Sequence, residues 1–325
     1  AVVEYAKPPI YSAKLQITDR QRLHSNLLES MLGEETKPRA IAHELTSKSA
    51  RWFRLITALI LIGAMLIPLL FGGANPMPAA LSAPGTPAES LFNQINSLSG
   101  GPVLLIIDYE PGLSGELKVA AGGVIQHLVE KSTFIAVVSS SPTGPLLAEK
   151  LLLDAHSIND LSVNLGYVPG GTTALQALVS DLRGTLRQPM RGSWDAPALQ
   201  AVNKIADFKQ VILLSGNDES ARAWIEQVQP ALGSTPLLVI SSAQATPMLQ
   251  PYADSGQIKT LLSGLMGGVA YQQLHQSTNP GNGYWLAYFN AYQTGFAVAI
   301  ALIVVGLLLQ LTLAVLNRTK KRKGA

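Results

Sequence analysis

The residues in this chain best suited to chemistry lie in short polar segments, each of which follows an apolar run. Neighbouring carboxylates, such as Asp108, Glu110 and Glu116, are able to hold a hard cation, and Gly, Ser and Thr offer N–H and hydroxyl groups to an anion. The same residue types also cap helices and form turns, so a purely structural role stays open. The candidate ligand-binding residues are Asp108, Glu110, Ser114, Gly170, Gly171, Thr172 and Thr173.

Known catalytic and cofactor-binding motifs are not found in the sequence. There is no G-x-x-x-x-G-K-[ST] phosphate loop, no G-x-G-x-x-G fingerprint after the first predicted strand and no G-x-S-x-G nucleophile motif. Five histidines are scattered without metal-ligand spacing, and the chain has no Cys. We therefore predict no catalytic residue, no metal site and no cofactor, and we expect His127, His156 and His275 to be surface or packing residues.

The elements that must position these polar segments are strands and helices in alternation. Short apolar runs predict five strands, and the stretches between them have the apolar spacing of helices. Such alternation predicts an α/β fold, a three-layer Rossmann-like parallel sheet whose ligands bind beyond the carboxyl ends of the strands. The predicted strands are residues 102–107, 134–138, 162–168, 211–214 and 237–240, and helical pieces broken at Pro251 and Gly256 are predicted over residues 247–276.

Two uncharged apolar stretches flank this α/β region. Residues 55–71 form a run of 17 and residues 296–316 a run of 21. A helix of ~20 apolar residues crosses the ~30 Å hydrocarbon core of a bilayer, so both stretches are predicted transmembrane helices. Because more than 50 residues of charged sequence precede the first stretch, it is interpreted as a signal anchor and not as a cleaved signal peptide.

Charge predicts the orientation of these helices. Residues 1–54 carry nine Lys or Arg against six acids, residues 318–325 carry five against none, and the region between carries ten against fifteen. The positive-inside rule then predicts an inner (cytoplasmic) membrane protein with both termini in the cytoplasm and an extracytoplasmic main domain. The basic residues that flank the membrane are Arg51, Arg54, Arg318, Lys320, Lys321, Arg322 and Lys323.

The predicted organisation has six parts. The N-terminal segment contains an amphipathic helix near residues 18–35, with apolar residues at helical spacing. The parts are a cytoplasmic segment (1–52), the first transmembrane helix (53–74), a Pro-rich linker leading to the outer domain (75–98), the extracytoplasmic Rossmann-like domain (99–283), an aromatic belt with the second transmembrane helix (284–317) and a basic tail (318–325).

Three segments carry a resemblance to a known family. They are DYEPGLSGEL at 108–117, VNLGYVPGG at 163–171 and LQPYADSGQIKTLLSGLMGGVAYQQL at 249–274. Together they resemble an uncharacterised family of bacterial two-pass membrane proteins with an extracytoplasmic Rossmann-like domain, over most of residues 50–320. The resemblance implies the two-span topology and no catalytic residue.

Two function hypotheses follow from these predictions. The first is a non-enzymatic accessory or scaffold subunit that contacts the lipid bilayer and docks on other integral-membrane subunits or on its own copies. The second is an extracytoplasmic small-ligand or anion sensor, or a hydrolase-like enzyme, that uses the loops around Asp108 and Gly170. A nucleic-acid partner is disfavoured by the acidic outer region, and a transporter by the lack of ionisable residues in the spans.

Overall fold

The computed structural model describes residues 18–36, 48–71, 84–155, 161–278 and 284–323. The chain divides into two compact units, residues 1–57 and residues 58–325. Part of the predicted Pro-rich linker, residues 75–83, and His156 lie outside the described residues.

The first unit contains helix α1 (Asp19–Thr36) and the start of α2 (Lys48–Phe71). Helix α1 covers the segment predicted to be an amphipathic helix. Its large apolar side chains are exposed: Leu23, Leu27, Leu28, Met31 and Leu32.

The second unit is built on a sheet of six parallel strands in the order β3-β2-β1-β4-β5-β6. The predicted Rossmann-like α/β fold is confirmed. The central strands are continuous apolar runs because helices cover both faces of the sheet. The strands are β1 (Pro102–Asp108), β2 (Phe134–Ser139), β3 (Ser162–Tyr167), β4 (Gln210–Ser215), β5 (Leu237–Ser241) and β6 (Thr260–Ser263).

Helices form the outer two layers. In chain order they are α3 (Pro87–Asn96), α4 (Ser114–Glu130), α5 (Gly144–Asp154), α6 (Gly171–Ser180), α7 (Leu182–Thr185), α8 (Asp218–Val228), α9 (Thr246–Asp254) and α10 (Gly264–Thr278). The last helix, α11 (Tyr284–Lys323), is not part of these layers. Helices α3, α4, α5 and α10 bury one core against the sheet, and α6 to α9 bury the other. Every strand except β3 contributes alternate side chains to the two cores, as in Leu104 and Leu105 of β1.

The structure corrects the prediction in two places. Residues 247–276, predicted to be broken helical pieces, contain the sixth strand β6, a four-residue strand that pairs with β5. A run this short has too few residues for its pattern to separate strand from helix. Pro251 lies inside α9 instead of breaking it. The second difference is α3, which begins at Pro87 within the segment predicted to be a linker and buries Leu91 and Ile95 completely.

Helices α2 and α11 contain apolar segments long enough to cross a membrane, Trp52–Leu70 and Ala287–Thr312. Their side chains are almost entirely uncovered by the rest of the protein. The two helices meet where Thr294 Oγ1 donates to the Ala64 backbone carbonyl at 2.9 Å. Next to this bond, a Cβ built on Gly295 would lie 2.8 Å from Met65 Cγ, so Gly295 allows the helices to approach closely.

Candidate functional site

The predicted polar segments meet at one edge of the sheet, called here the carboxyl edge. All six strands are parallel, so the loops that follow them share this edge. The strand order changes direction at β1, and β1 and β4 therefore flank the position where open α/β sheets bind ligands. Asp108 at the end of β1 lies in register with Ser215 at the end of β4.

Asp108 is buried, and three neighbours donate hydrogen bonds to its carboxylate. Its Oδ2 accepts from Ser140 Oγ at 2.5 Å, from Ser220 Oγ and from Trp224 Nε1 at 2.8 Å. Ser140 follows β2, while Ser220 and Trp224 lie on α8, so one carboxylate joins three parts of the carboxyl edge. Hydrogen bonds to a charged acceptor are stronger than neutral ones. The predicted candidate Asp108 therefore holds the carboxyl edge together.

Two side chains of the loop after β1 pack on the loop after β4. A Cβ built on Gly216, directly after β4, would lie 2.6 Å from Leu113 Cδ1 and 2.9 Å from Tyr109 Cβ. The loop after β1 thus rests on the loop after β4, and only glycine fits at this contact. Tyr109 is buried, and burial raises the pKa of its phenol to about 12. At neutral pH it is an uncharged packing group at the place where a dinucleotide would lie.

The acidic residues near Asp108 have separate roles. Glu116 Oε1 accepts a hydrogen bond from the backbone N–H of Ala243 at 2.7 Å, which fixes the loop after β5. Glu110 is exposed, and Ser114 is the first residue of α4. Among the residues that the structure describes, no group of three or more His, Asp or Glu is arranged to hold a metal ion.

The second predicted segment forms the turn from β3 into α6. Gly170 and Gly171 have φ angles of 118° and 59°, in the left-handed region that favours glycine. Gly171 and Thr172 line a cleft at the carboxyl edge, whereas Gly170 and Thr173 are outside its lining. This segment therefore comes close to the first one, through Ser140, which lines the same cleft and bonds to Asp108.

The cleft has a volume of about 560 Å³ and lies between the first turns of α6 and α8. Arg222, Glu219 and Glu226 give its lining one guanidinium and two carboxylates. The Arg222 Nε is buried without a hydrogen-bond partner. The Asn217 side chain caps α8 by accepting from the Ser220 N–H at 2.8 Å. The arrangement offers hydroxyl, amide and guanidinium donors to a small polar ligand, with acidic groups beside them.

Sequence reasoning did not single out Ser140, Ser220, Trp224 or Arg222. Ser140 lies in a polar segment that follows a predicted strand, and Ser220 directly follows another such segment, so their approximate position was predictable, but their convergence on Asp108 depends on the strand order. Trp224 gives no such signal, because its place on α8 follows the spacing of a core residue.

A second polar cluster is buried between α3, α4 and α10, away from the carboxyl-edge site. His127 Nδ1 lies 2.8 Å from Tyr271 Oη, and His275 Nε2 lies 3.0 Å from Glu130 Oε2. The two imidazole rings have centroids 4.7 Å apart. The pKa of His127 is lowered to about 4, mainly by burial and secondly by the neighbouring His275. Burial raises the pKa of Tyr271. Both histidines are thus buried packing residues.

Comparison with family models and with curated proteins finds no relative of this chain. No protein-family model matches the sequence, and no curated protein is similar to it at a significant level. The resemblance based on residues 108–117, 163–171 and 249–274 therefore stays a prediction.

Proposed function

We propose that this protein is a non-enzymatic accessory or scaffold subunit anchored in the inner (cytoplasmic) membrane of the cell. Helices α2 and α11 cross the bilayer, both termini are cytoplasmic, and the Rossmann-like domain stands outside the cytoplasm. There it docks on an integral-membrane complex or on a second copy of the chain.

The charges at the ends of the helices support this orientation. Arg54 is exposed near the start of the apolar segment of α2, and α11 continues as a helix through the basic residues up to Lys323. Each helix therefore has positive charge at the end that the proposal assigns to the cytoplasm. The Thr294–Ala64 bond joins the two helices near the opposite ends of their apolar segments.

The non-enzymatic assignment rests on one observation, the way in which polar and apolar side chains pack together at the carboxyl edge. The Asp108 carboxylate accepts from three internal donors, and Tyr109 and Leu113 pack the loop after β1 against the loop after β4. An enzyme of this fold needs reactive groups aimed into an open crevice at this edge. Here the same groups hold the loops together.

The transmembrane helices leave surface for a partner. Gly63 and Gly306 have no other atom within 4 Å of an added Cβ, so both positions face open space. Small residues let a second helix approach closely within a bilayer, where packing drives association. A partner helix is therefore expected on the side of Gly306.

Purification in mild detergent from native membranes tests this proposal. Tagged protein is expected to emerge with a stoichiometric membrane protein or as a defined oligomer, which mass photometry measures. Gly306→Leu should release the partner and leave the chain folded, because the added side chain enters space that is open in the single chain. Recovery of the unaltered protein as a lone monomer would contradict the scaffold role.

Orientation is tested separately with single cysteines, which the Cys-free chain allows. Ser25→Cys lies on α1 and Leu153→Cys at the end of α5, and both positions are exposed. A membrane-impermeant maleimide added outside the inner membrane should label Leu153→Cys at once and Ser25→Cys only after permeabilisation. The reverse pattern contradicts the orientation.

The alternative function is that of a sensor of a small ligand or anion, or of a hydrolase-like enzyme. The cleft favours it, because the Arg222 Nε there is buried without a hydrogen-bond partner. Inorganic phosphate is a suitable probe, because guanidinium groups bind it through charged hydrogen bonds. If this site operates, phosphate raises the unfolding temperature of the unaltered protein and of Lys259→Gln, an exposed remote cation, but not of Arg222→Gln. Equal responses of all three proteins exclude phosphate binding at Arg222.

A further inference from the structure

Large apolar side chains of the α/β domain are exposed mainly at the carboxyl edge. Within described residues 84–155 and 161–278, five large apolar side chains are exposed, and only Leu153, at the end of α5, lies at the opposite edge. The other four form what is called here the edge patch: Leu146 in the first turn of α5, Tyr167 at the end of β3, Met190 in the loop beside β3, and Met248 in the first turn of α9.

Three of these side chains line one groove of about 610 Å³, namely Leu146, Tyr167 and Met190. Met190 is held in place by its neighbour Arg191. The Arg191 backbone pairs with Asn164 of β3, and its guanidinium binds Glu149 on α5 at 2.8 Å. The exposed methionine is therefore held at the carboxyl edge through its neighbour Arg191.

The path of α11 relates this edge to the transmembrane helices. Helix α10 starts directly after β6, at the carboxyl edge, and runs back along the sheet. Phe289, six residues into α11, packs on Val269 near the start of α10 and on Val119 in the first turns of α4. The buried start of α11 thus lies beside the carboxyl-edge ends of α4 and α10, and its exposed apolar segment continues from there.

Helix α2 meets α11 on the same side of the domain. Ala64 and Met65 contact Thr294 and Gly295, just past the part of α11 that is buried against the domain. Both apolar helices therefore leave the domain beside the carboxyl-edge ends of α4 and α10.

We infer that the carboxyl edge of the sheet rests on the outer surface of the lipid bilayer, with the edge patch inserted at the boundary between headgroups and acyl chains. The inference depends on the proposed membrane crossing of α2 and α11, since that crossing puts the bilayer next to this edge. Exposed Leu, Met and Tyr side chains on an interfacial surface enter this boundary to a depth of ~5–10 Å. The cleft beside Ser140 then opens toward the membrane and not toward bulk solvent.

Charge indicates which lipids this surface contacts. Glu110 and Glu219 are exposed at the same edge and Arg187 lines the groove of the edge patch, so the charges there are mixed and give no net attraction to anionic headgroups. The contact is therefore expected to be apolar and to form on zwitterionic phosphatidylcholine.

The test compares single-cysteine variants of the full chain in phosphatidylcholine nanodiscs. Leu146→Cys and Leu153→Cys are matched, because both positions lie on α5 and are 69% and 68% exposed, at opposite edges of the sheet. Each variant carries an environment-sensitive fluorophore, and lipids with quencher-bearing acyl chains are added. Quenching is expected to be at least about twofold stronger at position 146 than at position 153, since only the former reaches the acyl-chain boundary.

Ile303→Cys, within the apolar segment of α11, separates the two proposals. If its label is not quenched, α11 does not cross the bilayer, and the inference fails together with the anchoring proposal. If Ile303→Cys is quenched while Leu146→Cys behaves like Leu153→Cys, the anchoring stands and the edge contact alone is wrong. The inference of a membrane contact is also wrong if the label at position 146 is shielded from aqueous iodide but is not quenched by the lipid. In that case a protein covers the edge.

Discussion

At the residue scale, the main finding is that Asp108 stabilises the fold through its hydrogen bonds. A carboxylate at the end of the first strand of a Rossmann-like sheet has the position of a ligand-binding group. Here its hydrogen bonds to Ser140, Ser220 and Trp224 leave it inside the protein.

Asp108→Ala is expected to destabilise the domain. The change leaves the three donors without their acceptor, and each buried unsatisfied group costs about 1–3 kcal/mol. The free energy of unfolding in detergent should fall by at least this amount, whereas Glu110→Ala, at an exposed position, should change it by less than about 0.5 kcal/mol. Equal stability of the two variants would mean that the Asp108 bonds are not structural.

His127 gives the stability a pH dependence. Its pKa is about 4 in the folded protein, mainly because of burial, against a reference value of about 6.5 in the unfolded chain. Below pH ~6.5 the unfolded chain binds a proton that the folded chain does not bind, so stability falls as the pH decreases toward about 4. The loss amounts to about 2 kcal/mol by pH ~5.

The comparison is chemical unfolding of the detergent-solubilised protein at about pH 7 and about pH 5. His127→Gln should lose less stability between these values than the unaltered protein does. His24→Gln, at an exposed histidine on α1, should behave like the unaltered protein. If His127→Gln keeps the full pH dependence, other groups cause it.

At the element scale, close helix contacts organise the domain. Helices α4 and α10 touch at Gly268, where an added Cβ would lie 2.3 Å from Ala120 Cα and 2.6 Å from the Val119 carbonyl oxygen. Both are backbone atoms, which cannot move aside as a side chain does. This contact brings α10, and with it the start of α11, onto the sheet.

Gly268→Ala should therefore cost about 1–3 kcal/mol of folding free energy, the usual range for overpacking. Gly115→Ala is its control, because Gly115 lies in α4 with open space around an added Cβ. Alanine has the higher helix propensity, so this change should stabilise the protein by roughly 0.5–1 kcal/mol. Thermal unfolding of both variants measures the difference, and effects of the same sign would contradict the contact.

At the scale of the whole molecule, the contact between α2 and α11 decides how the domain is attached. The Met65→Cys, Gly295→Cys double variant should form an intrachain disulfide on mild oxidation, because the two side chains meet there. Met65→Cys with Gly306→Cys is the control. Gly306 lies eleven residues further along α11, about 16 Å away along the helix axis. Gel mobility without reductant distinguishes the products, and crosslinking of both pairs alike would exclude a fixed helix pair.

Much of the architecture follows from local pattern. The buried run of β1, the helical spacing of α4 and the uncharged lengths of α2 and α11 are each encoded within a few adjacent residues, which is why the α/β class and two apolar helices were predictable. The four-residue β6 and helix α3 were not, because their apolar residues are few and their burial depends on partners distant in sequence.

What the sequence determined by itself is five of the strands with most of the helices, their parallel arrangement and the segregation of charge, since these depend on composition and periodicity. It also placed Asp108 and Gly170 at strand ends. Only the tertiary structure decided that Asp108 is enclosed by Ser140 and by residues of α8, that the loop after β1 packs on Gly216, and that Phe289 of α11 packs near the first turns of α4 and α10. These are contacts between residues far apart in the chain, and their geometry depends on strand order and side-chain packing that no local pattern records.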